Sequence, residues 1–316
     1  MPHTKNDPTT GIHKITVTGE LGSGKSAVSR LLTQRWKWPY HSGGDIYRQI
    51  AARRGVSAVE LSSIAQTDPS VDEEIDDLIR SLGEESRSMI VDSRTAWHFI
   101  PGSFKLRLEV DAELAAHRVL KDDTRASESY DDYHAAAQAL QIRYASEVAR
   151  YTRAYGIDVT DDNNFDLIVD TTRATPEDAA QTIIRCAESL WAGRALPRRW
   201  IPTKAAYPLG TLERLSGEQF DHIRQAIQLR GYDPLWQVNV LRLGGKLYLV
   251  DGHRHLSAAL LAGVAMVPCI LIQPQRPLEI NDPTVADMRE RLSMASLKEW
   301  EDRHGFKFGV YPPFLT

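Results

Sequence analysis

The stretch GELGSGKS, residues 19–26, places glycines, a lysine and a serine at spacings that suit the binding of phosphate groups. It fits the pattern G-x-x-x-x-G-K-[ST] and directly follows an apolar run that is typical of a buried strand. Glycines let backbone N–H groups turn inward, and the following helix points its positive end at the same place. We therefore predict a nucleoside triphosphate site, with Lys25 reaching the transferring phosphate and Ser26 holding Mg2+. The residues predicted to form it are Gly19, Gly22, Ser23, Gly24, Lys25 and Ser26.

The elements that must position this loop alternate between strand-like and helix-like stretches from residue 14 to about 191. Four apolar segments are typical of central strands: KITVTG, SMIVDS, FKLRLEV and FDLIVDT. Helical patterns lie between and after them, including KSAVSRLLTQRW, a pair broken near Pro69, a polar region over 126–155, and PEDAAQTIIRCAESLW. This alternation predicts an α/β fold with a parallel sheet covered by helices on both faces.

Arginines occur downstream where a second phosphate would bind. Arg48 follows the small residues of HSGGD, and Arg94 stands just past the end of an apolar strand. Ligands of open parallel sheets bind outside the carboxyl ends of the strands, so these two arginines would clamp an acceptor phosphate. Arg143, Glu147 and Arg150 share one face of a predicted helix. By itself that triplet fits either a solvated charged face or a group that closes over a ligand.

Taken together, these motifs resemble the cytidylate kinase family, in particular its short archaeal-type branch, over residues 14 to about 191. After the phosphate loop, the family patterns are matched by Ser42 to Arg48, Ser93-Arg94, the Arg143-Glu147-Arg150 helix, Tyr155 to Asp158, and Asp166 to Thr171. The resemblance implies a P-loop kinase that uses ATP and Mg2+ and a nucleoside monophosphate as acceptor. It implies that the acceptor is held by Ser42, Asp45, Arg48 and Arg94, while Arg143 and Arg150 close over the phosphates and Glu147 orients an arginine.

The strand end before Arg94 departs from the family pattern. The chain has Asp92-Ser93 where the family has glycine before the arginine, and Thr95 replaces the acidic residue of the bacterial branch. Asp92 is therefore a candidate base for an acceptor hydroxyl, or it simply ends the strand. Both departures bear on the identity of the acceptor and leave the expected use of ATP unchanged.

The composition changes after residue 193. We predict a P-loop kinase domain over 13–193, a linker over 194–206, a smaller α+β domain over 207–275 and a helical tail over 276–316; residues 1–12 are predicted to be flexible. Within the second domain, a strand ends at Asp251-Gly252 and a helix begins at once. Because helix N-termini bind anions, this is a candidate anion site, the alternative being a helix cap with surface histidines. The residues concerned are Asp251, Gly252, His253, Arg254 and His255.

The same stretch resembles the ParB and sulfiredoxin-like fold, whose members bind nucleotides or phosphorylated ligands. The resemblance rests on the strand, the D-G-x-x-[RH] signature, an alanine-rich helix and a V-P strand, from about Tyr207 to Ile272. The family has arginine where this chain has His255, which bears on whether this domain is catalytic. An H-x-H metal site is disfavoured because no clustered ligand completes it.

The whole sequence therefore predicts a two-domain cytoplasmic phosphotransferase, with CMP or dCMP as the first expectation for the acceptor. A net charge of −4 argues against a protein whose whole surface binds nucleic acid. No run of residues is apolar enough to span a bilayer. Two alternatives stay open. One is a kinase that acts on a hydroxyl of a modified pyrimidine in DNA or on another small metabolite. The other is a nucleotide-gated DNA-binding module. The oligomeric state is open as well.

Overall fold

The computed structural model describes residues 11–65, 68–120, 133–210, 215–272 and 283–312. The chain forms two compact units. The first comprises residues 1–169 and 179–196, and the second comprises residues 170–178 and 197–316. The predicted flexible N-terminus, residues 1–12, lies almost entirely outside the described residues.

The first unit contains a mainly parallel sheet with the order β2-β3-β1-β4-β5. Its strands are β1 (Lys14–Gly19), β2 (Tyr40–Ser42), β3 (Met89–Asp92), β4 (Phe104–Glu109) and β5 (Leu167–Asp170). Strand β1 pairs in parallel with both β3 and β4, and β3 pairs in parallel with β2. The carboxyl ends of β1, β2 and β3 therefore lie side by side, which brings the segments after them together.

Helices flank this sheet. They are α1 (Lys25–Trp36), α2 (Gly43–Arg54), α3 (Ala58–Ile64), α4 (Ser70–Glu84), α5 (Ala96–Phe99), α6 (Ala112–Leu120), α7 (Tyr133–Tyr155) and α8 (Pro176–Trp191). Helix α2 begins where the Ser42 side chain accepts a hydrogen bond from the Asp45 N–H, at 3.1 Å, and it ends at Gly55. Of the helices in the described ranges, none is long and apolar enough to cross a membrane.

The core of the first unit explains why β3 and β5 read as continuous apolar runs. All four residues of β3 are buried, and Ile15 and Val17 of β1 are fully buried as well. Strands that are covered on both faces have no solvent side and so show no alternation of polar and apolar residues. The predicted α/β fold with a parallel sheet flanked by helices is confirmed.

The second unit has a mixed sheet with the order β6-β10-β8-β9-β7. Its strands are β6 (Arg199–Pro202), β7 (Ala206–Pro208), β8 (Val238–Leu243), β9 (Lys246–Asp251) and β10 (Met266–Ile272). Its helices are α9 (Glu218–Arg230), α10 (His253–Leu261), α11 (Pro283–Arg291) and α12 (Met294–His304). Strands β8 and β9 form the antiparallel hairpin that the Gly244-Gly245 turn predicts, since both glycines have positive φ.

Two predicted boundaries of the second unit differ from the structure. The stretch 194–206, predicted as a linker, contains β6, whose four residues are all buried, and the first residue of β7. Its prolines suggested a connection between domains, but Trp200 and Ile201 pack into the core and outweigh that signal. The stretch 276–316, predicted as a helical tail, contains α11 and α12, yet Trp300 of α12 belongs to the core cluster of the second unit.

Replacing Trp300 with alanine tests whether α12 is part of this core. Because Trp300 is fully buried, we expect Trp300→Ala to lower the free energy of unfolding by about 3–5 kcal/mol. Leu229→Ala on α9 is the control, since Leu229 is 74% exposed and its loss should change stability by less than about 0.5 kcal/mol. Urea unfolding followed by circular dichroism measures both variants. Equal stabilities of the two variants would mean that α12 is a peripheral tail.

Candidate active site

The phosphate loop lies between the end of β1 and the start of α1. Gly22 and Gly24 have φ values of 79° and 80°, which place both in the left-handed region that favours glycine. A Cβ atom at Gly22 would lie 2.8 Å from the Cα of Ala115, so no other residue fits there without a shift of the backbone. Ser23 is buried, and its Oγ donates to the carbonyl of Glu20 at 2.7 Å. The loop is thus held in a tight turn that directs backbone N–H groups toward one point.

Lys25 folds back over this turn from the first position of α1. Its Nζ donates to the carbonyl of Gly19 at 2.7 Å and to the carbonyl of Glu20 at 3.0 Å. A phosphate oxygen is a stronger acceptor for an ammonium group than a neutral carbonyl is. A phosphate bound at the helix N-terminus would therefore draw the amine toward itself.

A cavity of about 1210 Å³ opens in front of the loop and collects most of the predicted site residues. Those that line it are Gly22, Gly24, Lys25, Ser26, Ser42, Arg48, Asp92, Arg94, Arg143, Glu147 and Arg150. Three predicted residues are not among those that line it. Gly19 borders a small neighbouring cavity, Ser23 is buried within the loop, and Asp45 pairs with Arg48 at 2.5 Å on the surface of α2.

Glu147 holds two of the arginines. Its Oε2 lies 3.0 Å from Nε of Arg94, and its Oε1 lies 3.3 Å from Nε of Arg143. Arg94 also donates to the carbonyl of Gly19 in the phosphate loop. The shared carboxylate keeps the guanidinium groups of Arg94 and Arg143 near each other despite their like charges.

Arg150 is held by a different set of partners at the far end of α7. Its guanidinium lies 3.3 Å from a carboxylate oxygen of Asp72 on α4 and donates to the Tyr151 hydroxyl at 3.1 Å. It also lies 4.9 Å from the centre of the Tyr151 ring, which adds a cation–π contact. Helix α7 therefore places both Arg143 and Arg150 at the cavity.

Asp92 lies buried at the end of β3, and Tyr40 of β2 contacts it. The Tyr40 hydroxyl donates to Oδ2 of Asp92 at 3.0 Å. Burial raises the pKa of Asp92, and the charge of Lys25 opposes that shift. Tyr40 thus holds the buried carboxylate at the end of β3. It is a site residue that the sequence analysis missed.

The oxygen atoms around Tyr40 suit a hard cation. Magnesium is usually held by one or two protein oxygens together with water and substrate phosphates. Ser26 and Asp92 supply a hydroxyl and a carboxylate on the same cavity, so the donor set fits Mg2+. In the ranges that the structure describes, no three His, Cys, Asp or Glu side chains cluster into a metal site of their own.

Asp76 of α4 is a second site residue that the sequence analysis missed. It lines the cavity although only 6% of the residue is exposed. Burial raises the pKa of its carboxyl group to about 6, while a hydrogen bond from the Tyr155 hydroxyl opposes the shift. A perturbed carboxyl group in a cleft is a candidate for ligand recognition or proton transfer.

The second unit has its own cavity, of about 910 Å³, at the N-terminus of α10. The predicted anion-site residues Asp251, Gly252, His253, Arg254 and His255 all line it, together with Gln219, His222 and Arg291. Gly252 has φ 91°, and a Cβ there would lie 2.9 Å from Cγ1 of Val238, so glycine is required. Arg254 donates to Oε1 of Gln219 at 2.6 Å, which holds its guanidinium against α9.

His255 is packed more deeply than a surface cap would be. Its ring centre lies 5.1 Å from that of Trp236, and burial lowers its pKa. The imidazole is therefore neutral at pH 7. The fixed positive charges at this cavity come from Arg254 and Arg291, and Arg291 is paired with Asp287 at 3.3 Å.

Comparison with known proteins identifies the first unit. Residues 14–173 match the family described as "Cytidylate kinase-like family". A cytidylate kinase of Methanothermobacter thermautotrophicus is 32% identical over 163 residues, which are 52% of this chain and 98% of that protein. An S-adenosylmethionine-dependent nucleotide dehydratase of Lacinutrix mariniflava is 31% identical over 172 residues, which are 54% of this chain and 35% of that protein. Among solved structures, a shikimate kinase of Bacteroides thetaiotaomicron covers 55% of this chain and 97% of its own, with 14% identity and a TM-score of 0.42.

The stability of Asp76→Asn tests whether the pKa of this buried carboxyl group is raised. Because the folded-state pKa of about 6 lies above the ordinary 3.8, the folded protein binds the proton more tightly and loses stability as pH rises from about 4 to about 6. One pKa unit corresponds to about 1.4 kcal/mol, so Asp76→Asn should be more stable than wild type by about 1–3 kcal/mol at pH 8. The gain should vanish near pH 4.

Asp77→Asn is the matched control for this measurement, because the neighbouring Asp77 side chain is 77% exposed. Urea unfolding at both pH values compares the three proteins. If the stability difference between Asp76→Asn and wild type is the same at pH 8 as at pH 4, the pKa of Asp76 is not raised.

Proposed function

The chain belongs to the cytidylate kinase-like family and is a kinase; we propose that its first unit transfers the γ-phosphate of ATP to a pyrimidine nucleoside monophosphate. CMP or dCMP is the proposed acceptor, the products are ADP and the nucleoside diphosphate, and the cytoplasm is the proposed setting. The observation that carries the proposal is the convergence of the phosphate loop with Arg48, Arg94, Arg143 and Arg150 on one cavity.

The donor half of the proposal rests on the loop and the start of α1. Backbone N–H groups of the turn and the positive end of the helix would hold the ATP phosphates. Lys25 would exchange its contacts with the carbonyls of Gly19 and Glu20 for phosphate oxygens. Ser26, with Asp92 nearby, would hold Mg2+, which neutralises charge on the phosphates when bound.

The acceptor half rests on the arginines. In the transfer, an oxygen of the acceptor phosphate forms a bond to the γ-phosphorus while the bond from that phosphorus to the β–γ bridging oxygen breaks. The protein's contribution is to align the two phosphates and offset their negative charge. Arg48 and Arg94 would position the acceptor phosphate, and Arg143 and Arg150 would close over both phosphates.

The size of the cavity supports two bound nucleotides. Sites for single drug-sized ligands usually measure about 300–1,000 Å³. The cavity of the first unit, at about 1210 Å³, exceeds that range. A donor and an acceptor would lie side by side in it, as direct transfer requires.

Turnover of ATP with a panel of acceptors tests this function. The panel contains CMP, dCMP, UMP, dUMP, AMP, GMP, free serine, and duplex DNA with and without hydroxymethylpyrimidine. We expect turnover with CMP or dCMP, and we expect Lys25→Ala to lower it at least about 100-fold, because a cation on the transferring phosphate is lost. Lys37→Asn is the control, since Lys37 is exposed at the other end of α1 and asparagine tolerates its left-handed backbone.

The other outcomes of this assay separate the alternatives. Transfer to hydroxymethylpyrimidine DNA or to another hydroxyl acceptor, without turnover of free nucleotides, would leave the donor half intact and make the acceptor wrong. Salt-sensitive DNA binding without any turnover would favour the nucleotide-gated binding module.

For the second unit we propose an anion site at the N-terminus of α10, for a nucleotide or another phosphorylated ligand. Support comes from the cavity in which Arg254 and Arg291 meet the first turn of a nine-residue helix, next to the required Gly252. The resemblance to the ParB and sulfiredoxin-like fold points to the same ligand class. This site would let a nucleotide or product steer the specificity of the chain.

Hydrogen exchange of residues 251–261 in the presence of CTP or ATP tests this second site. We expect bound ligand to slow exchange in wild type, and we expect Arg254→Ala to raise the ligand concentration needed by about tenfold or more, since a charged hydrogen bond is lost. Arg230→Ala, at an exposed position on α9, should behave as wild type. Exchange that is the same with and without either nucleotide would contradict the site.

A further inference from the structure

Asp76 is a carboxyl group that the transfer of phosphate does not require. It lies on α4, away from the phosphate loop in sequence, and Tyr155 at the end of α7 lines the same cavity. Only 6% of Asp76 is exposed, yet it lines the cavity. A carboxylate has room for about four hydrogen bonds, so Asp76 offers acceptor capacity on the cavity side.

The basic residues near Asp76 are engaged with other partners. Arg80 pairs with Asp77 at 2.7 Å and lies 4.5 Å from the centre of the Phe99 ring, and Arg150 pairs with Asp72. Across the described ranges, Asp76 forms no ion pair with lysine or arginine. Burying a carboxylate without a cation is costly, so its retention here calls for a ligand that donates to it.

Aromatic and apolar side chains of the cavity that Asp76 lines suit a flat ring rather than a phosphate. Tyr47, Ile75, Tyr151 and Tyr155 line the same cavity and come from α2, α4 and the end of α7. Aromatic and apolar side chains bind the faces of a heterocycle, and a few placed polar groups then read its edge. The arginines and Lys25 account for the phosphates, which leaves this part of the lining for the base.

We infer that Asp76 selects cytosine over uracil in the acceptor by accepting a hydrogen bond from the 4-amino group of the base. This inference rests on the proposed function and assigns a specificity residue to it. Uracil has a carbonyl oxygen at the same position, so a carboxylate would face a second acceptor and lose the hydrogen bond. At pH 8, above the raised pKa of about 6, the carboxyl group is ionised and can only accept.

The test compares kcat/KM for CMP and UMP at pH 8 in four proteins. Wild type should prefer CMP by about 100-fold or more, as expected where a site is built to hydrogen-bond one group. Asp76→Asn should lower the CMP to UMP ratio at least tenfold and raise the value for UMP, because its amide can donate to the carbonyl. Asp76→Ala should lower the value for CMP about 10- to 100-fold without raising that for UMP. Asp77→Asn should match wild type.

The outcomes distinguish this inference from the proposed function. If wild type phosphorylates CMP and UMP equally well, or if Asp76→Asn leaves the ratio unchanged, Asp76 does not select the base while the proposed kinase stands. If wild type phosphorylates no nucleoside monophosphate, the proposed function and this inference are both wrong. Because asparagine removes the buried charge, a failure of Asp76→Asn to fold is not expected, and circular dichroism checks it.

Discussion

The site of the first unit depends on gathering like charges in one cavity. Arg94 and Arg143 share Glu147, at 3.0 and 3.3 Å, and Lys25 rests on the carbonyls of the phosphate loop. Each contact offsets repulsion that would otherwise push the cations apart. Phosphate oxygens are better partners for an ammonium group than the loop carbonyls, so a bound phosphate would take over the contacts of Lys25. The contacts through Glu147 keep Arg94 and Arg143 together at the cavity.

The sheet supplies the precision that this arrangement needs. Because β1, β2 and β3 are parallel neighbours, the phosphate loop, Ser42 and Asp92 all emerge at one edge. The loop rests against α6 through the contact of Gly22 with Ala115, so its turn is fixed from behind. Helix α7 then carries Arg143, Glu147 and Arg150 over this edge. Phosphoryl transfer is mainly a matter of position and charge, and buried parallel strands are a rigid base for both.

Much of this could be read from the sequence because the signals are local. The strand before GELGSGKS and the helix after it are short-range patterns, and they appear where expected. Tyr40 and Asp76 had no such signal: Tyr40 meets Asp92 across 52 positions of sequence, and Asp76 meets Tyr155 only after α4 and α7 pack. The buried strand β6 was missed because prolines around Trp200 resemble a linker when its burial is unknown.

The most direct test of the central claim is the fate of the γ-phosphate itself. ATP labelled in that phosphate is incubated with wild-type protein, Mg2+ and CMP, and the labelled products are separated. The account predicts that the label appears in CDP at the β-position, with formation of ADP in equal amount. Label that appears only as inorganic phosphate, or that stays in ATP while CMP is unchanged, would contradict the assignment of this cavity as a site of transfer between two nucleotides.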